Sequence, residues 1–439
     1  MRGVLKKIIS NQLAKTSLFL LFLQIFTLII STLGNFYIAK IYPSAAEFGE
    51  YNFYFSLITT FGYSAVFGMD AFILKENTYL IHQKKISNSK SLIYSSFRIV
   101  VIFSFFISVC LWLYFYITSK FYVLNISIVC LGVFIAALLS YFIYLLRSLG
   151  QISIATILDQ NGKVWSFYLI LIFLYCFLHF DHQLNIGILS FVLALSLCLL
   201  VAYFYWLKEK NQNYKHLEVD SSLYTNSYLL KAGFWFFLFD LSGNFSLNID
   251  VFIAEKFYSD TFLGYFSFYK KLSQLPFIAI MLLGSVYQNK YIQLYHDNDF
   301  KNLQKYIYAT NRFIFGISLL GAIVFLVLFY KVEFIQILFN QLFFKYMSYS
   351  YLLLFLVLVE LILSLFGPNI LFMSMVNLEK ESILICILHI IIFFVLCFIF
   401  KNFSGENSFL YSYIFSRVIK NFLSWKIIKS KLGINFFVI

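Results

Sequence analysis

Long apolar runs alternate with short charged connections from one end of this chain to the other. About 20 apolar residues span a bilayer as a helix. By that measure the runs predict twelve spans, at residues 14–39, 50–74, 92–117, 122–146, 164–180, 185–207, 232–254, 262–288, 313–330, 349–376, 383–400 and 408–425. An open sheet cannot satisfy its backbone in lipid, so the spans are read as helices. The stretch SLGQISIATILDQNGK, between Arg147 and Lys163, is half polar. It reads as a short interfacial helix or as an extension of the fifth span.

The pattern of polar positions is most unusual between Lys231 and Pro276, where two apolar segments follow one another and carry Asp240, Asn244, Asn248, Asp250, Lys270 and Lys271. A charge at the bilayer centre costs roughly 2.5–3.5 kcal/mol on insertion scales and marks a substrate or ion pathway by default. At about 100° per residue, Asp240, Asn244, Asn248 and Asp250 share one arc of the seventh span. Two readings fit: Asp240 and one lysine form a buried pair that orients two helices, or a hydrophilic cavity has lysines for an anionic group and a carboxylate for ion coupling. Glu360, deep in the tenth span, is a second protonatable carboxylate, suited either to coupling or to a hydrogen bond with a neighbouring helix. Pro276 and Pro368 fall inside spans eight and ten and are expected to break or bend them, as in the discontinuous helices of transporters.

Self-similarity organises the whole. AKIYPSAAEFGEYNFYFSLI from Ala39 matches AEKFYSDTFLGYFSFYKKLS from Ala254, pairing Ala39 with Ala254, Gly49 with Gly264, Phe53 with Phe268 and Tyr54 with Tyr269 at a single offset of 215. The expectation is an all-α integral membrane fold, with twelve helices in two six-helix pseudo-symmetric halves around a central cavity. The halves are residues 1–210 and 232–439, joined by a cytoplasmic linker at 211–231. The repeat also places Gln24 and Asn35 of the first span near the positions of Asp240 and Asp250.

Composition fits this picture: 61% of residues are hydrophobic and 12% charged. No room is left for a sizeable soluble domain, so function has to lie in the helix bundle. Of the 33 Lys and Arg, only Lys40, Lys120, Lys256, Lys331, Lys345 and Lys401 fall on one side, with Lys270 and Lys271 inside a span. The remainder lie on the side of both termini, which the positive-inside rule makes cytoplasmic, and the bias holds with Arg417 and Lys420 set aside as part of the last span. The net charge of +13 therefore follows from topology and requires no nucleic-acid partner. The first span has no small-residue cleavage site and is expected to stay uncleaved. The six cysteines lack C-x-x-C spacing, and His179 and His182 read as solvated loop residues, so neither a metal nor a cofactor is expected. There is no phosphate-binding G-x-x-x-x-G-K-[ST] loop, and no aqueous loop is long enough for a glycosyltransferase domain.

Two segments resemble the polysaccharide-exporter family, the O-antigen flippases of the multidrug/oligosaccharidyl-lipid/polysaccharide exporter superfamily. AAEFGEYNFYFSLITTFGYSAVFGMDAFILK is similar to that family's outer loop and second span, and NIDVFIAEKFYSDTFLGYFSFYKKLSQLP to its seventh-to-eighth-span signature. The resemblance implies a non-enzymatic flippase of the bacterial cytoplasmic membrane. It would move an undecaprenyl-diphosphate-linked oligosaccharide by alternating access coupled to an ion gradient, in company with other polysaccharide-assembly membrane proteins. Lys270 and Lys271 match the basic cavity residues that hold the diphosphate. Asn244, Asn248 and Gln24 are the further substrate-binding candidates, and Asp240, Asp250 and Glu360 the ion-coupling ones. The alternatives are an ion-coupled multidrug antiporter of the same superfamily and a membrane glycan polymerase or ligase.

Overall fold

The computed structural model describes residues 12–118, 122–177, 185–214, 224–277, 291, 294–295, 297–331, 351–373, 376, 378–404 and 406–437. His179 and His182 lie outside them. The described residues form helices: α1 (Gln12–Ile41), α2 (Ala45–Ser64), α3 (Met69–His82), α4 (Ile86–Thr118), α5 (Val123–Ser148), α6 (Ile152–Thr156), α7 (Lys163–Phe177), α8 (Ile186–Asn213), α9 (Asn226–Phe257), α10 (Asp260–Ser273), α11 (Phe300–Lys331), α12 (Tyr351–Ser364), α13 (Asn369–Met373), α14 (Glu379–Ser404) and α15 (Asn407–Leu432). Seven stretches among them are long and apolar enough to cross a membrane: 45–82, 86–118, 123–148, 186–211, 226–257, 300–327 and 379–401. The chain divides into two compact units: unit 1 is Met1–Gly34 with Tyr54–Asn244, and unit 2 is Asn35–Phe53 with Phe245–Ile439.

In unit 1, α4 shows what lipid does to a helix. Ser96 and Ser104 are fully buried, while Ile102, Phe105 and Phe106 are about 60% exposed. A helix in water would be turned the other way. With hydrocarbon outside, small polar residues make the tight helix contacts and large apolar ones face the tails.

The predicted second span is not continuous. It breaks between α2 and α3, where Phe67 and Gly68 adopt left-handed φ values of 57° and 66°. No proline marks the break, which is why the pattern of residues 50–74 reads as one helix. Phe67 is held in place by stacking on Phe237 at 4.9 Å, and a Cβ on Gly68 would lie 2.5 Å from the Gly233 carbonyl.

The half-polar stretch after Arg147 extends the fifth span: α6 runs through a π-turn, Ile157–Gly162, straight into α7. Inside that turn Asn161 is fully buried and donates through Nδ2 to Thr27 Oγ1 at 2.5 Å.

The repeat is visible in the local geometry of the helix ends. Ser44 and Ser259 stand before α2 and α10, and each accepts through Oγ from the backbone N–H three residues on, Glu47 at 3.2 Å and Phe262 at 3.1 Å. These are N-caps that satisfy an otherwise orphaned donor. The turns leading into α4 and α11 also correspond. Lys84 and Asn298 have φ of 60° and 55°, and the next residues close the same six-residue turn, Lys85 N–H to Leu80 C=O at 2.9 Å and Asp299 N–H to Leu294 C=O at 3.0 Å. Asp299 then caps α11 by accepting from the Asn302 side chain at 2.6 Å and its N–H at 3.2 Å, which holds its carboxyl below the usual range.

Within unit 2 the repeated glycines meet. A Cβ on Gly49 would lie 2.6 Å from the Asp260 carbonyl and 2.9 Å from Gly264 N, and one on Gly264 would lie 1.8 Å from the Ala45 carbonyl. Only glycine allows the two backbones to approach this closely. Both predicted proline breaks are present: α10 stops at Ser273 ahead of a 3₁₀ turn at Leu275–Phe277, and α12 stops at Ser364 ahead of Gly367 (φ 59°) and Pro368.

Unit 2 ends in an extended tail that the apolar pattern does not announce. Ile434 and Phe436 are buried in a core with Tyr291, Leu303, Ile307 and Phe372. Gln304 and the Asn435 backbone exchange two hydrogen bonds, at 2.8 and 2.6 Å, and Asn311 Nδ2 donates to the Phe436 carbonyl at 2.8 Å.

Candidate functional sites in the two units

Unit 2 holds a line of charged and polar side chains built from five helices. Ser246 and Asp250 lie one turn apart on α9, Lys270 ends α10, Glu360 is on α12 and His389 on α14. Tyr413, Arg417 and Lys420 follow one another on one face of α15 at the i, i+4, i+7 spacing of a helical stripe. Asp250, only 3% exposed, pairs with Lys270 and also accepts from its neighbour Val251 N–H at 2.9 Å. Arg417 pairs with Glu360 and donates to the Tyr413 hydroxyl. Its second terminal nitrogen reaches Glu360 Oε2 at 3.4 Å, and the guanidinium lies over the Tyr413 ring at 5.0 Å. Asp250 is within electrostatic reach of Arg417 and Tyr413, which links the two ion pairs.

Further along α15, Lys420 Nζ donates to Ser246 Oγ at 2.7 Å, and Ser246 Oγ lies 2.9 Å from His389 Nδ1. The ammonium can only donate, so Ser246 Oγ accepts from Lys420 and meets Nδ1 either by donating its own proton or by accepting through its second lone pair, and the other ring nitrogen of His389 is Nε2. That Nε2 is buried without a hydrogen-bond partner among the described residues. Lys271 Nζ lies over the rings of Phe48 and Tyr51, 5.5 Å from each centroid. The cluster thus brings together four cations, Lys270, Lys271, Arg417 and Lys420, and two carboxylates, Asp250 and Glu360. Each carboxylate is already engaged by a cation of the protein.

Unit 1 has a cluster of charges of its own, around Asp70 and Asp159. Asp70, in the first turn of α3 just past the helix break, accepts from Ser140 Oγ at 3.0 Å and from Ala71 N–H at 2.8 Å. A carboxylate there also faces the positive end of the α3 dipole. Asp240, on the α9 segment of this unit, is within electrostatic reach of Asp70. Asp159 in the π-turn is held by Arg147 at 2.8 Å and Lys163 at 2.7 Å, and Lys163 also donates to the Tyr63 hydroxyl at 3.0 Å. Three carboxylates here meet two cations.

Of the residues singled out in the sequence, the structure brings Asp250, Glu360, Lys270 and Lys271 into unit 2. Asp240 lies in unit 1, and Asn244 and Asn248 are half-buried on α9. Gln24 is on α1, with its side chain outside the described residues. Of the two readings of this segment, the one that pairs Asp240 with a lysine is not what the structure holds: the carboxylate on Lys270 is Asp250. The reason is the tight turn at Ser259. At about 1.5 Å per residue from that turn, Lys270 lies roughly 17 Å along its helix, Asp250 roughly 14 Å and Asp240 roughly 29 Å. Asp70, Asp159, Lys163, His389, Arg417 and Lys420 were not singled out. Asp70 sits inside the predicted second span, and that position alone would have flagged it. Arg417 and Lys420 were absorbed into the basic flank of the last span.

The geometry defines an all-α, multi-pass membrane protein built from two repeated halves with buried charge in each. Neither a protein-family model nor a curated protein matches the sequence. Among solved structures the chain is similar to an inward-facing multidrug resistance MATE family transporter of the MOP superfamily, at 13% identity over 93% of this chain and 94% of that one, with a TM-score of 0.67. It is also similar to an outward-facing MATE family transporter of that superfamily, at 13% identity over 95% and 96% of the chains and a TM-score of 0.60. The Vibrio cholerae MATE transporter VcmN in the bent form matches at 12% identity over 95% and 98%, with a TM-score of 0.60. The chain therefore has the fold of MATE transporters, twelve helices in two halves.

Proposed function

We propose that this protein is an alternating-access membrane transporter whose cargo is an amphipathic anion. The observation that supports the anion is the charge balance of unit 2, where Lys270, Lys271, Arg417 and Lys420 exceed Asp250 and Glu360 by two. Cations gathered at one place in a low dielectric attract a negative group. The carboxylates of that cluster are already neutralised by the protein, which disfavours an organic cation there. With the resemblance of the α9–α10 segment to polysaccharide exporters, the reading is a flippase for a polyprenyl-diphosphate-linked oligosaccharide. Lys270 and Lys271 serve the diphosphate, Asn244, Asn248 and Gln24 the sugars, and Asp240, with its neighbour Asp70, ion coupling. Asp250 and Glu360 act through their ion pairs. Replacing Lys270 and Lys271 together by Ala should abolish export of the lipid-linked glycan in the native host while the protein stays in the membrane; normal surface glycan would overturn the reading.

A second reading, an ion-coupled multidrug antiporter, is favoured by the solved structures that share the fold, which are multidrug resistance MATE family transporters. It requires resistance to cationic dyes that is lost on Asp70→Asn or Asp240→Asn and kept on Lys271→Ala, which leaves the Lys270–Asp250 pair intact. Glycan export with no dye resistance separates the two.

A further inference from the structure

Unit 1 contains a cavity that plays no part in either charge cluster. It lies where α4 begins and α5 and α8 end, with a volume of about 130 Å³, and is lined by Tyr94, Phe97, Tyr141, Phe142, Trp206 and, at its polar end, Lys210. Lys210 Nζ sits over the Tyr94 ring, 5.6 Å from its centroid. Two of the walls are rigid: the Tyr141 hydroxyl donates to the Ile93 carbonyl at 2.8 Å and lies 2.9 Å from Ser96 Oγ. Trp206 packs on Tyr214 at 5.8 Å.

We propose that this cavity seats an anionic phospholipid, with the upper part of an acyl chain between the aromatic rings and the phosphate on Lys210. Three observations carry it. The volume is close to the ~150 Å³ of an apolar cavity that admits benzene, and below the roughly 300 Å³ at which drug-sized ligands begin. A length of hydrocarbon chain fits and a whole drug does not. The lining is apolar and aromatic with one cation at the edge, which matches a lipid at the level where tail meets head group. Aromatic rings belong at that interface, and basic pockets between membrane helices bind anionic head groups. The local charge is also suitable: Lys208 stands two residues from Lys210, and the one acidic neighbour on that turn, Glu209, accepts from Gln151 Nε2 at 2.8 Å.

Trp206 provides the reporter. The protein with Trp112, Trp165, Trp235 and Trp425 changed to Phe is reconstituted in phosphatidylcholine containing either brominated phosphatidylglycerol or brominated phosphatidylcholine, and Trp206 fluorescence quenching is measured. The anionic brominated lipid should quench at a lower mole fraction than the zwitterionic one, and Lys210→Gln should reduce that preference about fivefold, the equivalent of about 1 kcal/mol per basic residue. Lys208→Gln should leave it within about twofold, since Lys208 is exposed. Equal quenching by the two lipids overturns the proposal, as does an equal loss in Lys208→Gln, which would mean diffuse attraction to the surface. If the four-Trp variant does not fold, native mass spectrometry of the unaltered protein and of Lys210→Gln, each with equimolar phosphatidylglycerol and phosphatidylcholine, gives the same comparison. Retained phosphatidylglycerol adducts lost in Lys210→Gln support the site, and adducts without lipid preference overturn it.

Discussion

Gly49 and Gly264 face one another across the crossing of α2 and α10, and their contacts are reciprocal. Gly49 meets Asp260, the residue that opens α10, and Gly264 meets Ala45, the residue that opens α2. Each glycine therefore touches the counterpart of the residue the other touches. In symmetric assemblies this reciprocity is the mark of a twofold axis. Here the axis is approximate and lies within one polypeptide, so the sequence repeat at an offset of 215 has a direct geometric consequence.

Gly264→Ala should destabilise the protein by about 1–3 kcal/mol, the usual range for overpacking, because the atom in the way is the backbone of Ala45 and cannot rotate aside. Gly243→Ala on α9, where nothing lies within 4 Å of the added carbon, should be neutral or stabilising by up to about 1 kcal/mol. Thermal melting of the two variants in detergent checks the difference in sign.

Lys270→Met alone and Asp250→Leu alone should each cost about 3–5 kcal/mol, since either leaves a buried charge without its partner, whereas the double substitution should recover most of the loss. A double-mutant cycle on melting temperature measures the coupling. Additive losses would show that the pair is not mutually dependent.

Arg417→Lys keeps the charge but loses the fork that reaches Glu360 and Tyr413 together. A loss of about 1–3 kcal/mol is expected, the range for a charged hydrogen bond left unmade. Glu360→Gln, which leaves the buried guanidinium without its carboxylate, should cost more, about 3–5 kcal/mol. Differential scanning fluorimetry distinguishes these outcomes.

Phe436→Ala should destabilise by about 3–5 kcal/mol, as expected for emptying a well-packed aromatic site. Asn435→Ala removes the side-chain oxygen that accepts from Trp425 Nε1 at 2.7 Å and from the Phe437 N–H at 3.1 Å and should cost about 1–3 kcal/mol, at about 0.5–1.5 for each bond. Hydrogen exchange of the α11 amides around Gln304 and Asn311 should rise in Phe436→Ala.

Most spans, the two proline breaks and the repeat were legible because each depends on a local rule: length of apolar run, a missing N–H, or an offset between matched residues. The break at Phe67–Gly68 was not, because a phenylalanine in the left-handed region is held there by its stacking on Phe237, a contact distant in sequence. Four of the charged residues in the unit 2 cluster were legible as charges out of place in lipid. Their pairing was not, since it depends on where the α9–α10 turn falls. Arg417 and Lys420 escaped because they count with the basic residues of the cytoplasmic side although both fall inside the predicted last span, and His389 because a single histidine in an apolar run carries no pattern of its own. The tail from Ile434, INFFVI, is apolar in five of six positions but too short to register as a span, and its burial is decided by the groove that receives Ile434 and Phe436.

A π-turn is what a helix makes of one extra residue: the surplus is taken up as a local bulge so that the faces before and after keep their orientation. Ile157–Gly162 is therefore a place where the fifth span can lose a residue. Deleting Gln160 should convert the bulge to plain α-helix and leave Asp159 and Lys163 three positions apart, still on one face. The contacts beyond, such as Tyr168 to the Ser31 carbonyl at 3.0 Å, should stay in place. The same deletion a few residues into α7 would turn everything after it by about 100°. This part of the membrane domain should consequently tolerate a change in length that its neighbours do not.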